Sequence, residues 1–135
     1  MFLLDTDTLI YALNGKATVL QSLRENRTEP IAVSVVSYGE LVFGAYRSAR
    51  QEANLAKVHR LAEIYPIIEV TSTVMDTFGQ IKASLFDKGQ VVDDFDLLIG
   101  ATALTMNYTV VTNNRKHFQK VPGLHIENWL DQPDQ

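Results

Sequence analysis

No cysteine occurs in the 135 residues, and that absence removes disulfide staples, thiolate metal sites and cysteine nucleophiles together. A reducing compartment suits such a chain. Four prolines and seven glycines are too few and too scattered to make a linker or a low-complexity stretch. Nowhere do apolar residues run on for the roughly 18 that a membrane span requires. The opening Met1-Phe2-Leu3-Leu4-Asp5-Thr6-Asp7 has no basic residue and soon meets two acids, which does not read as a secretory signal. A cytoplasmic protein without membrane segments or processing is the expectation. Cations are also short. A net charge of −4 is awkward for any protein that grips phosphates, because Lys and Arg make those contacts.

What is present suits one globular domain over residues 1–135, since a chain of this size buries roughly two thirds of its unfolded surface in a single core. Only Gln132 to Gln135 read as a disordered tail. Phe2-Leu3-Leu4 is a short apolar run ending in an acid, and Leu9, Ile10 and Leu13 follow at helical spacing, so a strand passes into a helix that Asn14-Gly15 stops. A second helix covers Thr18 to Asn26, and Ile31-Ala32-Val33 is the next strand. Ser34 or Ser37 caps a helix through Glu40 and Tyr46, and Leu55, Val58, Leu61 and Ala62 keep the helical period from Gln51 to Ile64. Pro66 to Val70 extends again; Val74 to Lys88 and Asp94 to Met106 read as helices. Thr109 to Thr112 is a buried strand, and Leu124-His125-Ile126 is the last. Strands alternating with helices make this an α/β chain with a parallel sheet covered on both faces. Such sheets place their sites in the crevice beyond the carboxyl ends of the strands. Asp5 ends the first strand and Thr112-Asn113-Asn114 a later one, so the two line one crevice if their strands are neighbours.

Three acids stand where apolar residues are expected. Asp96 shares its helix face with Ile99, Gly100 and Ala103, and Glu40 has Val36 four residues before it and Phe43 and Gly44 three and four after. A carboxylate turned toward a core is costly unless it is paired or bound to a cation. Each acid has a plainer reading: Asp5 as an N-cap, Asp96 as a charge favoured by the positive end of its helix, Glu40 as a partner of Arg47. A hard cation explains all three at once, since Mg²⁺ takes one or two carboxylates and completes its octahedron with water and phosphate. Asp93 and Asp94 read as a loop and helix-cap pair able to reach such an ion through water, and Asp7 as a first-turn acid. His59, His117 and His125 show no ligand spacing and read as solvated or packing residues; Trp129 reads as a C-terminal packing anchor. The cations left to face a phosphate substrate are Arg24, Arg27, Arg47, Arg50, Arg115 and Lys116.

Leu3-Leu4-Asp5-Thr6-Asp7, the stretch from Ser34 to Gly44 with Ser37 and Glu40-Leu41, Asp96 to Ala101, and Val110 to Asn114 with Phe118 and Val121-Pro122-Gly123-Leu124 resemble, in that order, the four motifs of PIN-domain ribonucleases and of the VapC toxins among them. The similarity runs from residue 2 to about 129, and the order and spacing of the motifs carry more weight than any one of them. The resemblance implies a PIN-like three-layer α/β/α fold on a central parallel sheet of four to five strands. It also implies hydrolysis of RNA phosphodiesters with Mg²⁺ or Mn²⁺, leaving a 5′-phosphate, with Asp5, Glu40 and Asp96 as metal ligands and Asn114 and Thr112 beside them. Many relatives carry a fourth acid where Asn114 stands, Asn in place of Asp7 and Ala in place of Gly100. A homodimer, a small VapB-like antitoxin that silences the toxin in a hetero-oligomer and holds promoter DNA, and a tRNA substrate, initiator tRNA in particular, are implied as well.

Two other readings compete. Strand-Asp5-x-Asp7 also opens a haloacid-dehalogenase-type phosphatase, with Asp5 as nucleophile and Asp7 as acid/base. That family needs its threonine motif before its late acidic pair, and here Asp93-Asp94 precedes Thr112. The other rival is a catalytically silent module that binds RNA or the antitoxin, and the amide at Asn114 keeps it open.

Overall fold

A computed structural model describes residues 1–130 of the chain; the tail expected at Gln132–Gln135 lies outside them. Five strands form one sheet: β1 (Phe2–Leu4), β2 (Ile31–Ser34), β3 (Ile67–Ile68), β4 (Thr109–Val111) and β5 (Ile126–Glu127). Their spatial order is β3-β2-β1-β4-β5, and every neighbouring pair is parallel. Parallel neighbours need crossovers, and seven helices supply them among the described residues. These are α1 (Thr6–Leu13), α2 (Ala17–Glu25), α3 (Val35–Tyr46), α4 (Gln51–Ile64), α5 (Ser72–Asp87), α6 (Asp94–Met106) and α7 (Arg115–Phe118).

Alternation along three-residue strands puts opposite faces of the sheet into two cores. Leu4, Val33 and Val111 pack with Leu9, Val19, Leu41 and Val58 from α1 to α4, and Trp129 closes that side with an edge-on contact to Phe2 at 5.2 Å. Leu3, Ala32 and Val110 pack instead with Ile99 and Ala103 of α6 and with Phe118 of α7. Behind them α5 lies on α6 through Val74, Ile81, Leu85, Leu97 and Ala101. The result is the three-layer α/β/α arrangement on a parallel sheet, with Trp129 the anchor expected of it.

From β1 the chain leaves toward β2, whereas from β4 it leaves toward β5, so the switch point of this sheet falls between β1 and β4. Leu4 is registered with Val111 there, and the next residues on each strand are Asp5 and Thr112. Ligand crevices of open parallel sheets lie at such points. Local signals put the helices around it: Ser34 caps α3 through Val36 N–H at 3.1 Å, and Asp93 caps α6 through Phe95 N–H at 3.1 Å. Three elements differ most from the sequence reading. The extended stretch expected over Pro66 to Val70 pairs as strand only at Ile67–Ile68. The last strand begins two residues later, because Leu124 turns into the α6 side of the core. The single turn α7 was not expected, since four residues are too few to show a period.

Candidate active site

Asp5 is the centre of the crevice. Its carboxyl is 5% exposed, with Oδ1 accepting from Thr6 N–H at 2.8 Å and Oδ2 from the Thr112 hydroxyl at 2.8 Å. The N-cap and site readings of this residue therefore coexist, because capping α1 occupies only one oxygen. Burial is the main force on its proton affinity, and repulsion from Asp7 adds to it. The Thr112 and Thr6 hydrogen bonds pull the other way, and Asp96 adds further repulsion, leaving the group pushed up to about 7.

On the β2 side, the Thr6 hydroxyl donates to Glu40 Oε1 at 2.6 Å and lies 3.1 Å from the Ser37 hydroxyl. Glu40 is thus tied to the residue after Asp5, and Arg47 has no ion pair among the described residues. Glu40 lies at the edge of the buried stripe of α3, as its spacing suggests. The buried side of α3 carries Ser37, Leu41 and Ala45, while Phe43 is 68% exposed, so Glu40 stands half-buried on the rim of the crevice.

On the β4 side, the fully buried Thr112 hydroxyl donates to Asp5 and accepts from Asn114 N–H at 2.8 Å. Asn114 opens α7, and three residues later His117 faces the same way, one helical turn on. His117 Nδ1 lies 2.7 Å from Asp96 Oδ2 and 2.9 Å from the Asn114 amide. A carboxylate at that distance accepts, so the ring proton belongs on Nδ1 and is directed at Asp96, with Asn114 Nδ2 beside it. His117 is 45% exposed, in keeping with a solvated residue, and it also joins Asp96 of α6 to Asn114 of α7, a link the sequence reading did not contain. Its i, i+3 spacing from Asn114 was the available signal, but the contact with Asp96 spans 21 residues and leaves no local trace.

The remaining candidates have partners of their own. Asp7 accepts from Thr8 N–H at 2.6 Å and Asn113 N–H at 3.1 Å, fastening α1 to the end of β4. Asp93 is the cap of α6, and the exposed Asp94 is paired with Lys82 of α5 at 2.9 Å. Of the six cations expected to face substrate, Arg24 and Arg27 sit at the other end of the sheet, where the loop from α2 delivers Pro30 to the start of β2. Arg47 and Arg50 flank the α3–α4 turn, with Arg47 about two helical turns, roughly 10 Å, beyond Glu40 on the crevice rim. Arg115 and Lys116 on α7 are the two that the fold brings near.

The donor set suits a hard cation, being carboxylate oxygens with hydroxyls around them and no thiolate. A cation beside Asp5 would also offset the repulsion that Asp7 and Asp96 exert on it. Yet among the described residues no three His, Cys, Asp or Glu side chains converge on one point closely enough to cage an ion. The fit is to an ion held by one or two carboxylates and otherwise by water and phosphate, the usual habit of Mg²⁺.

A parallel sheet with its switch point between two strands that each end in a site residue, and acids brought to that point from α3 and α6, defines a class of protein. The PIN domain family matches residues 2–124. Ribonuclease VapC2 of Rickettsia felis is 33% identical over 133 residues, covering 96% of this chain and 98% of its own. The tRNA(fMet)-specific endonuclease VapC of Salmonella typhimurium is 32% identical over 128 residues, covering 95% and 97%. The crystal structure of VapBC2 from Rickettsia felis bound to a DNA fragment from their promoter superposes with a TM-score of 0.89 at 31% identity, over 95% of this chain and 98% of that one. The chain belongs to the PIN-domain family, among its VapC ribonucleases. PIN-domain ribonucleases generally depend on a divalent metal. No helix among the described residues is long and apolar enough to cross a membrane.

Proposed function

We propose that this chain, one PIN domain over its 135 residues, is a cytoplasmic endoribonuclease toxin that hydrolyses RNA phosphodiesters with Mg²⁺ or Mn²⁺ held by Asp5, Glu40 and Asp96. The observation that carries the assignment is the nearly dry Asp5 carboxyl, repelled by Asp7 and Asp96 and raised to about 7. Carboxylates gathered at such expense point to a cation as their partner. When bound, the ion would lower the pKa of water and stabilise charge developing on the phosphate. The chain's own residues do the positioning. Thr112 and Thr6 N–H fix both oxygens of Asp5, the Thr6 hydroxyl, itself in contact with Ser37, fixes Glu40, and His117 fixes Asp96. Asn114 presents an amide where many relatives place a fourth acid, so it orients phosphate or water by hydrogen bonding without adding charge. Cleavage leaves a 5′-phosphate.

The Salmonella relative supports tRNA, and initiator tRNA in particular, as substrate. The VapBC2 complex from Rickettsia felis, bound to a fragment of its promoter, supports a small VapB-like antitoxin as the partner of this chain in a hetero-oligomer that holds promoter DNA; that the toxin is a homodimer and that the antitoxin makes the DNA contact are part of the same proposal. The test is cleavage of total bacterial RNA by purified protein, comparing wild type, Asp5→Ala and wild type with EDTA on a sequencing ladder. Discrete cuts by untreated wild type alone support the reading. Inert wild type, freed of antitoxin and supplied with Mn²⁺, would put the silent binding module in its place.

A further inference from the structure

With Arg24, Arg27, Arg47 and Arg50 placed elsewhere, only Arg115 and Lys116 of the six expected cations lie near the acidic crevice, few for holding a polyanion beyond the scissile phosphate. One surface outside it supplies the missing charge. An open cleft of about 650 Å³ runs between the end of α5 and α7, walled by Lys88 and Gln90 on one side and Lys116, Gln119 and Lys120 on the other. No acid lines it, and none of its lysines has an ion pair among the described residues. The Lys120 ammonium lies 3.4 Å from the Val91 carbonyl, which draws the α5–α6 loop toward α7. The inner end of the cleft is formed by Asn114 and His117, the residues that contact Asp96 and Thr112.

We infer that this cleft is a binding site for the sugar-phosphate backbone of single-stranded RNA, which runs over Asn114 and His117 from the acidic crevice onto Lys88, Lys116 and Lys120. The inference deepens the nuclease reading and rests on it. Lysines act here as point charges on phosphates, with glutamines as neutral donors for bridging oxygens and 2′-hydroxyls. Beyond the His117 ring at its inner end, the lining has no Phe, Tyr, Trp or large apolar side chain to serve as a platform for bases, so along the lysines the cleft holds backbone. Continuity with the crevice favours RNA over an acidic peptide, because a strand whose scissile phosphate sits at Asp5 must leave over one rim or the other. Glu40 and the exposed Phe43 occupy the opposite rim, where charge and surface are wrong for phosphate.

The test is fluorescence anisotropy of a short labelled single-stranded RNA in EDTA, so that no cleavage intervenes, across about 50 to 200 mM salt. The compared proteins are wild type, the triple variant K88Q/K116Q/K120Q, and the triple variant R24Q/R27Q/R60Q, which removes the same charge from other surfaces. Three lost phosphate contacts lower the slope of log affinity against log salt by about 2 in a single strand. That drop in the lysine variant, with the arginine variant close to wild type, is the expected result. With Mn²⁺ added, the lysine variant shows a raised KM and a kcat within about twofold of wild type, as lost uniform binding requires. An unchanged slope in the lysine variant overturns the assignment, as does an equal fall in both variants. Normal RNA affinity with weakened binding of polyglutamate would hand the cleft to an acidic protein partner instead. If RNA binds as described and nothing is cut with Mn²⁺, the cleft stands and the nuclease reading fails.

Discussion

Replacing Asp5 with asparagine keeps the shape of the side chain and removes a charge that the fold holds almost dry. Its carboxyl ionises at about 7 in the folded protein, against 3.8 ordinarily. Between those values the unfolded chain has released the proton and the folded chain has kept it, so stability falls as pH rises through that window and levels off above it. Three units at ~1.4 kcal/mol each set a ceiling of about 4 kcal/mol. Sharing of charge with Asp7 and Asp96, and relaxation around an ionised group, bring the expectation to about 2 kcal/mol. In EDTA at pH 8, Asp5→Asn should therefore melt about 6 °C above wild type, and at a pH just below 3.8, where both states keep the proton, the two should nearly coincide. Asparagine still accepts from Thr6 N–H, but its NH2 group cannot accept from the buried Thr112 hydroxyl as Asp5 does, and that lost bond is part of why the expectation stays well below the ceiling. Mg²⁺ should raise the melting temperature of the wild type and leave the variant unmoved. Chemical denaturation at both pH values measures the same difference. A variant less stable than wild type at pH 8 in EDTA, or a margin that ignores pH, would refute the claim that Asp5 is held against its own charge.

Thr112→Val keeps the volume of a fully buried residue and removes the hydroxyl that serves both Asp5 and Asn114 N–H. Losing a bond that stabilises the carboxylate raises the Asp5 pKa further, so the acid limb of the rate profile should move to higher pH while kcat/KM falls about 10–100-fold. Steady-state cleavage across pH reads both, and a profile that drops without shifting would contradict the role. Gly100→Ala should stabilise the protein by about 0.5–1 kcal/mol, because α6 gains a better helix former. The new methyl would meet Leu124 and Val121 at 3.6 Å, an ordinary contact. A thermal melt showing net loss would mean that α6 and the segment after α7 pack more tightly than these distances imply.

The parts of the site legible in the sequence were those fixed by local chemistry. Asp5 and Thr112 could be placed because each ends a short apolar strand, and a parallel sheet turns strand ends into a crevice. What the sequence left open was whether β1 and β4 are neighbours, and pairing across more than 100 residues settles that. Glu40 was legible as an acid at the edge of a buried stripe, but the length of the stripe was not: Phe43 reads as part of it, and its 68% exposure shows that the stripe ends short of it. His117 was missed because a four-residue helix shows no period and its partner lies on α6. The cleft lysines were illegible for the same reason, since Lys88 and Lys116 meet only once α5 and α7 are packed.

Asn114 is where this chain departs from the acids many of its relatives share, and the surrounding geometry says what restoring the charge should do. In Asn114→Asp a fourth carboxylate would stand beside His117 Nδ1, the group already held by Asp96 at 2.7 Å. One ring proton on Nδ1 cannot fully serve two carboxylates, so the added charge falls partly on Asp96 and through it on Asp5, which Asp96 already repels. Metal-free protein should lose about 1 kcal/mol at pH 8, in keeping with like charges held close together near a protein surface. The same charge strengthens attraction for a divalent ion, so Mn²⁺ should bind more tightly and raise the melting temperature of the variant by more than that of the wild type. Calorimetric titration of Mn²⁺ into both proteins decides the matter. Equal affinities would mean that position 114 does not face the ion. Tighter binding with unchanged cleavage would mean that the amide already performs the catalytic part of the task, and that the fourth acid serves retention of metal alone.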